Sequence, residues 1–565
     1  MARSTRQRGQ SLWQTIWQII QFSRRTADRQ QTRTVGGGLL LLTILSVLVG
    51  TALVLESIQR GEFISALAAG DSQRFQAALA QFVGILLLSA ALLSVSAYVR
   101  DRLGLAWRAG LSRNVLTAYL ADRHYYHLPE EIDNPDQRIS EDIKNVSQVT
   151  VVVIALFLES GVQLIGFVGV LLSISFGLTG FLLVYALVGS AIATLLFGIK
   201  LTRINAEQLK REANFRFNLI DVRENAESIA FYQTQSSGQT EESRERKTSG
   251  QRFDQVVQNF NRFIRWQLGL DCFQNGYQYL TFILPSLILA PRILAGDLEV
   301  GAIVQSQAAF DRIWLSLSLV IVQFEQLTVL AASTGRLQRL VSAIQSAAHE
   351  GHQPTIDIVE QPHLVVNTLT LQLPDQQILF ENLSFTATEP LLITGPSGVG
   401  KSSLVKAIAG LWQTGQGTIG CPQGDILFLP QQPYMAIGTL RQQLCYPNTV
   451  EISDERLIHT LKQVQLAKLT DLDRVEDWSG QLSTGEQQRL AFARLFVRQP
   501  AYAILDEATS ALSVQQEKDL YQQLAATDIV FVSIGHRPSL LDYHAQVLSL
   551  QDDHTWTLKQ PELLK

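Results

Sequence analysis

Nine residues, GPSGVGKSS at 395–403, carry the most specific chemical signal in this chain of 565 residues. They match GxxxxGK[ST] and lie between an apolar, strand-like LLIT (391–394) and the helical LVKAIAGLW (404–412). A strand–loop–helix setting is what lets such a loop cradle phosphate. Gly395, Gly398 and Gly400 admit backbone amides close to phosphate oxygens, and Pro396, Ser397 and Val399 complete the loop. The helix start adds its partial positive charge, Lys401 can reach β- and γ-phosphates, the Ser402 hydroxyl suits Mg2+, and Ser403 belongs to the same nucleotide-binding run. Further on, YAILD (502–506) closes an apolar strand on Asp506, and Glu507 follows. An acid there suits contact with Mg2+ through water, and the next carboxylate can polarise an attacking water. Two adjacent acids alone are commonly a solvated strand end; behind a phosphate loop they complete a nucleotide hydrolase.

Such chemistry needs strands whose ends present the loops. Beyond about residue 345, short β-branched or Leu-rich stretches (LLIT, DILFL, YAILD, IVFVSI) alternate with helical patterns. That rhythm predicts an α/β domain with a largely parallel sheet over 363–565. Residues 342–362, polar and holding Pro354 and Pro362, read as a linker.

The chain before about residue 332 has a different character. Apolar runs at 35–56, 77–99, 149–175, 180–200, 268–290 and 302–332 are each long enough to cross a hydrocarbon core of about 30 Å, which takes about 20 helical residues. They predict a polytopic helical membrane domain with six spans over 35–341. The first, GGGLLLLTILSVLVGTALVL, is longer than a signal-peptide core and is expected to stay in the mature chain. Residues 1–34 hold seven arginines and one acid, with Trp13, Ile16, Trp17, Ile19 and Ile20 at near-helical spacing. They read as an amphipathic segment on the cytoplasmic membrane surface.

Lys and Arg number seven in this leading segment and then two, seven, none, twelve and one in the successive inter-span loops. The alternation fits both termini and the α/β domain on the cytoplasmic side. The two basic loops are too long for simple connections, and RLGLAWRAGLSRNVLTAYLADRHYY and FRFNLIDVRENAESIAFY have helical apolar spacing, so the helices should continue beyond the bilayer. A composition of 46% hydrophobic and 17% charged residues excludes a disordered or collagen-like chain. A net charge of -5 argues against a nucleic-acid partner. Cys272, Cys421 and Cys445 lie far apart, with no CxxC spacing, and form neither a disulfide framework nor a zinc site.

Between the two nucleotide motifs lies LSTGEQQRLAFARL (482–495). Taken with GPSGVGKSS, LPQQPY, YAILDEATSALS and SIGHR, in that order, it closely resembles the ATP-binding cassette of ABC transporters across the whole domain. The resemblance implies that Gln431 senses Mg2+ and the membrane domain. It implies that Leu482, Ser483, Thr484, Gly485 and Glu486 form the signature, with Ser483 and Gly485 contacting γ-phosphate across a dimer. It further implies that Glu507 is the catalytic glutamate and His536 the switch histidine. The sequence departs from the pattern twice. Leu373 stands where many cassettes have an aromatic that stacks on adenine, a role Phe380 could take, and Ser513 replaces an acid that helps couple the two ATP sites. In the membrane half, IDNPDQRISEDI (132–143), the preceding WRAGL…YLADRHYYHL and the later RENAESIAFY (223–232) resemble the transmembrane domain shared by bacterial BacA/SbmA-type transporters and the peroxisomal D subfamily. NPDQR by itself is also a good Asn-Pro turn capping a helix.

The resemblance implies a half-transporter using ATP and Mg2+ and working as a homodimer in a lipid bilayer, most simply a prokaryotic inner membrane. It implies import of a bulky hydrophilic or amphipathic solute such as cobalamin or a peptide, or alternatively transport of long-chain acyl compounds. An ATP-gated channel would share every cassette motif, and a non-transporting membrane ATPase would hydrolyse ATP without moving solute. Residue chemistry adds one expectation. Glu159 and Gln163, then Asp271, Asn275 and Gln278, lie at helical spacing inside apolar runs, and the sixth run adds Gln305, Asp311, Arg312, Gln323 and Glu325. Because polar groups facing lipid are costly, they are expected to line a water-filled cavity.

Overall fold

The protein is described from a computed structural model covering residues 14, 29–129, 131–234, 244–319, 323–349, 356–373, 375–412, 414–422, 426–447 and 452–561. The amphipathic segment expected near the N-terminus lies almost entirely outside these residues. The chain divides into two compact units, Met1–His349 and Glu350–Lys565.

The first unit is helical: α1 (Arg29–Ala68), α2 (Ser72–Leu120), α3 (Pro135–Ile174), α4 (Phe176–Glu224), α5 (Arg244–Leu294), α6 (Gly301–Leu317) and α7 (Phe324–His349). Among the described residues five helices, α1 to α5, have the length and apolar composition to cross a membrane. Large apolar side chains such as Leu40, Leu87, Val184 and Leu287 point outward from them, as a hydrocarbon solvent requires. The sixth run, 302–332, holds α6 and the start of α7, with residues 320–322 outside the described ones; α6 ends at Leu317, where the Ser318 amide bonds back to Trp314.

Local chemistry sets the helix starts. Asp71 caps α2 by accepting from the amides of Gln73 and Arg74, and Ser175 caps α4 through Leu178. The helices overshoot their apolar runs: α2 continues to Leu120, and α4 passes through a π-helical turn at Ala193–Gly198 to Glu224. These extensions have their own core, where Trp107, Leu111 and Val115 of α2 meet Ile143 and Val146 of α3 and Leu337, Leu340 and Ile344 of α7. A second core joins Phe167 and Leu171 of α3, Leu178, Leu182 and Ala186 of α4, and Phe310, Ile313 and Trp314 of α6.

The second unit is α/β. A six-stranded sheet, ordered β10-β9-β4-β8-β7-β6, comprises β4 (Leu391–Thr394), β6 (Ile426–Leu429), β7 (Tyr502–Asp506), β8 (Val530–Ile534), β9 (Gln546–Leu550) and β10 (Trp556–Lys559). All neighbours are parallel except β9 and β10. A four-stranded sheet is built from β1 (Ile356–Gln361), β2 (Leu364–Gln372), β3 (Ile378–Ala387) and β5 (Gly415–Pro422). The helices that matter to the site are α8 (Lys401–Ile408), α9 (Asp454–Gln463), α10 (Thr484–Arg498) and α11 (Val514–Ala525). Strands β4 and β7 flank β8, so the loops at their carboxyl ends emerge side by side, where open parallel sheets bind ligands.

Candidate nucleotide site

The phosphate loop leaves β4 through three glycines with positive φ, Gly395 (148°), Gly398 (88°) and Gly400 (102°). A side chain on Gly395 would come within 2.5 Å of the Leu550 carbonyl, so backbone conformation and crowding both demand glycine there. Pro396, Ser397 and Gly398 form an exposed crest, while Val399 packs inward. Lys401 opens α8 and folds back over the loop, its Nζ donating to the carbonyls of Gly395 (2.8 Å) and Pro396 (2.7 Å). Burial lowers its pKa, opposed by the nearby Glu507 and Asp506 charges. Ser403 is half-buried in the first turn of α8.

The acids arrive from β7. Ser402 Oγ lies 3.3 Å from Asp506 Oδ1, and burial raises the Asp506 pKa, against the hydrogen bond from Ser402. Glu507 adopts a left-handed φ of 47°, an uncommon conformation for a non-glycine residue. It is held there because its amide donates to the Ile534 carbonyl (3.2 Å) and its carbonyl accepts from Ser510 (3.0 Å). Its carboxylate accepts from Gln431 Nε2 at 3.0 Å and lies 3.4 Å from His536 Nε2. Six of the expected residues, Lys401, Ser402, Gln431, Asp506, Glu507 and His536, are thus brought together from the ends of β4, β6, β7 and β8. The Ser402 hydroxyl, the Asp506 carboxylate and the Gln431 amide are hard oxygen donors of the kind Mg2+ takes beside substrate phosphates.

The signature stands apart. Ser483 caps α10 and forms a capping box with Glu486, whose Oε2 accepts from the Ser483 amide (3.0 Å) and hydroxyl (2.8 Å). Together with the Lys468 ammonium at 2.6 Å, this holds the Glu486 carboxyl down at about 2. Leu482 is buried as an anchor, Thr484 is exposed, and a side chain on Gly485 would meet the Ala511 carbonyl at 3.2 Å. Among the described residues no hydrogen bond joins Ser483 or Gly485 to the phosphate loop of the same chain.

Four residues that the motifs did not single out tie these segments together. Buried Gln488 donates to the Gln431 carbonyl and to Ser510 Oγ, both at 3.1 Å, and accepts from the Ala511 amide at 2.9 Å. Buried Arg494 donates to the carbonyls of Gln443 (2.8 Å) and Tyr434 (2.9 Å), and burial pulls its pKa down to about 10. Glu517 is 2% exposed and accepts from Thr509 (2.7 Å), Ser539 (2.8 Å) and Arg537 (3.4 Å). Arg537, next to His536, also donates to the carbonyls of Leu512 and Ser510. Gln488 and Arg494 sit inside the signature helix itself, so their helical spacing was the available signal. Glu517 carried none.

Both departures from the cassette pattern have structural outcomes. Phe380 is fully buried beneath Gly400 and cannot offer a face to adenine, which removes it as the stacking group; Leu373 is half-buried. Ser513 caps α11 in a capping box with Gln516, a position where Asp serves equally well.

In the membrane unit the polar residues do not form one cluster. Glu159 of α3 lies beside Ser96 and Arg100 of α2, and Gln163 is buried with its backbone alongside α1 at Gly50. Asp271 and Asn275 of α5 are exposed, Asp271 accepting from Gln267, whereas Gln278 lies beside Asp311 of α6. Gln305 donates to the Ile58 carbonyl. The NPDQR motif starts α3, with Asn134 at φ 43° and Pro135 in the first turn. It also forms a knot onto α7: Arg138 donates to Asp133 and to the Arg336 carbonyl, and Arg336 pairs through two bonds with the fully buried Asp142.

Comparison with known proteins agrees with this architecture. Residues 30–294 match the family model "ABC transporter transmembrane region 2", and residues 381–510 match "ABC transporter". An uncharacterized ABC transporter ATP-binding protein of Synechocystis is 42% identical over 92% of this chain and 80% of its own length. The chloroplastic ABC transporter D family member 2 of Arabidopsis thaliana is 33% identical, covering 96% and 86% respectively. The lysosomal cobalamin transporter ABCD4 of Mus musculus is 31% identical, covering 93% of each chain. The chain belongs to the ABC transporters: it is an integral membrane protein whose fused transmembrane region and ATP-binding domain couple ATP hydrolysis to transport.

Proposed function

We propose that two copies of this chain form a homodimer with two composite ATP sites, and that each signature acts on the nucleotide held by the partner's phosphate loop. The observation that carries this reading is the separation within one chain. The Ser483 hydroxyl and the α10 start are exposed and make no hydrogen bond to the chain's own phosphate loop among the described residues. An isologous pair supplies each loop with the missing donors. Cysteines placed at Ser397 and Ser483 should crosslink into a dimer band; an exclusively intramolecular product would refute the arrangement.

Within each site, Lys401 leaves the Gly395 and Pro396 carbonyls for the phosphates, and Gly395 to Ser403 supply amide and hydroxyl donors. Glu507 accepts the proton of the attacking water, while Gln431 and His536 fix the orientation of its carboxylate. Ser402 and Asp506, with Gln431, would hold Mg2+, which when bound neutralises charge developing on the phosphates. Closure of the cassettes on ATP and their release after hydrolysis bias a two-state membrane domain.

For cargo we propose a bulky hydrophilic or amphipathic solute such as cobalamin or a peptide, taken up across a prokaryotic inner membrane with both termini and the cassette in the cytoplasm. Polar Glu159, Gln163, Asp271, Asn275 and Gln278 within otherwise apolar helices support this, and so does the presence of cobalamin transporters among the relatives. Long-chain acyl compounds are the second reading, favoured by the chain's likeness to the D family. ATP-dependent flux of a cobalamin, a peptide and an acyl-CoA into inverted and right-side-out vesicles decides class and direction together. Ion flux far above the ATPase rate would instead reveal a channel, and hydrolysis with no flux a non-transporting ATPase.

A further inference from the structure

Between α4 and α5 an open cleft of about 510 Å3 is lined by Arg211 from α4 and by Gln258, Asn259, Arg262, Arg265 and Trp266 from α5. Three guanidinium groups face it and no carboxylate does. The sequence places it along the membrane normal: the apolar run of α4 ends at about residue 200, and that of α5 begins at about 268. At this level the Lys200 ammonium lies 4.9 Å from the centroid of the Trp266 ring. A tryptophan beside a lysine where apolar helix gives way to polar helix is an interfacial anchor. From Trp266 to Gln258 the cleft rises eight residues, about 12 Å at 1.5 Å per residue. That distance takes it through the headgroup layer, whose depth is about 5–8 Å per leaflet.

The arginines differ in how far they are committed. Arg211 is fixed, its Nε donating to Glu207 at 3.0 Å and its Nη1 to the Gln255 carbonyl at 2.8 Å. Buried Asn259 donates to the Ile204 carbonyl and to Gln208, which locks α4 against α5 at the floor of the cleft. Arg262 has no hydrogen-bond or ion-pair partner among the described residues, and Arg265 gives only its Nε to the Asn261 carbonyl at 3.3 Å. Both are exposed and stand three residues apart on one helical face. Two guanidinium groups whose terminal Nη donors are free among the described residues, on a rigid floor, suit a phosphate, which they can bond bidentately.

We propose that this cleft binds the headgroup phosphate of an anionic phospholipid from the leaflet on the side of the basic loops. Arg262 and Arg265 take the phosphate oxygens, and Trp266 and Lys200 seat at the boundary with the acyl chains. A dissolved anion offers the same phosphate, but the anchor at the span boundary favours a ligand that already resides in the interface. The site rests on the span boundaries and on the sidedness proposed above; it does not depend on the transported solute.

The test uses the purified full-length protein in mixed micelles holding equal mole fractions of phosphatidylglycerol and phosphatidylcholine, with retained lipid counted by native mass spectrometry. Wild type should retain phosphatidylglycerol in preference. Arg262→Gln with Arg265→Gln should cut its occupancy about fivefold for each guanidinium removed, the fold-change that about 1 kcal/mol per basic residue at an anionic surface implies. The corresponding Lys pair should keep the preference, and the single variant Arg262→Glu should lose it, giving a second reading at an exposed position if the double variant fails to fold. Equal retention of the two lipids by wild type, or unchanged occupancy in the Gln pair, would overturn the proposal. So would complete displacement of the lipid by millimolar glycerol phosphate, which would mark a soluble-anion site. A cysteine at 262 labelled from outside intact cells would overturn the sidedness alone, because it leaves the lipid preference untouched.

Discussion

In the cassette, Lys401, Ser402, Gln431, Asp506, Glu507 and His536 come from separate strand ends and still lie within hydrogen-bonding reach of one another or of the loop they guard. In the membrane unit, Glu159, Gln163, Gln278 and Gln305 look outward from their own helices and take partners from, or pack against, neighbouring ones. The contrast has a chemical origin. Phosphate has one geometry, and a sheet edge with a glycine loop satisfies it in the same way whatever is transported. Cargo recognition has no such common template, so a polar group among the spans reads equally as helix packing or as cargo contact. The cassette therefore declares its chemistry residue by residue, while the membrane unit declares only where polarity is tolerated.

The largest effect that could break this contrast lies at Glu507. Glu507→Gln keeps the shape and the contact with Gln431 but removes the base, and hydrolysis should fall by at least about 100-fold, the low end for general-base catalysis. Nucleotide binding should persist and a closed dimer accumulate. Phosphate release beside fluorescent-nucleotide binding separates the two effects, and wild-type turnover would remove Glu507 from its role. Lys401→Ala should do the opposite, weakening nucleotide binding by about tenfold or more through loss of a charge-assisted bond.

Next in size is Glu159→Ala, which sharpens the membrane side of the comparison. If the carboxylate contacts cargo, the amount transported per ATP hydrolysed should drop several-fold. If it serves only Ser96 and the helix pair, the ratio stays constant while thermal stability falls. A cysteine at 159 that resists water-soluble maleimides in every nucleotide state would count against a hydrophilic cavity and favour the acyl reading.

A smaller change is expected from Gln488→Ala. This removes three hydrogen bonds from a side chain that is 1% exposed and leaves buried partners unpaired, a loss of about 1–3 kcal/mol. Turnover should fall a few-fold with nucleotide affinity nearly unchanged, because the residue positions the Gln431 and Ser510–Ala511 segments without touching phosphate. A change confined to affinity would contradict that role.

The smallest effect appears only in acid. His544 is buried between the Leu540 carbonyl (2.7 Å) and Ser533 Oγ (2.9 Å), and burial pulls its pKa down to about 4, against about 6.5 in the unfolded chain. Between those values the unfolded chain takes up a proton that the folded one refuses, so cassette stability falls as pH drops through the window. The slope is at most about 1.4 kcal/mol per pH unit. His544→Gln should flatten it in denaturant titrations at pH 6.5, 5.5 and 4.5; an unchanged slope would place the titrating group elsewhere.

Much of this molecule is determined by local sequence. Gly395, Gly398, Gly400 and Lys401 identify a phosphate loop because the required backbone conformations and the helix start are properties of neighbouring residues. Among the described residues the first five apolar runs lie in single long helices, since apolar length and helical period need no distant partner. Tertiary structure decided what depends on residues far apart in the chain. It buried Phe380 so that it cannot stack on adenine, and bound NPDQR to Arg336 on the last helix of the membrane unit. It made Glu517 the buried acceptor shared by Thr509, Ser539 and Arg537, and it set Arg262 and Arg265, with no carboxylate partner among the described residues, beside a floor fixed by Asn259. In every one of these cases the outcome is set by what another segment places within a few ångströms, and spacing along a single strand or helix carries no record of that.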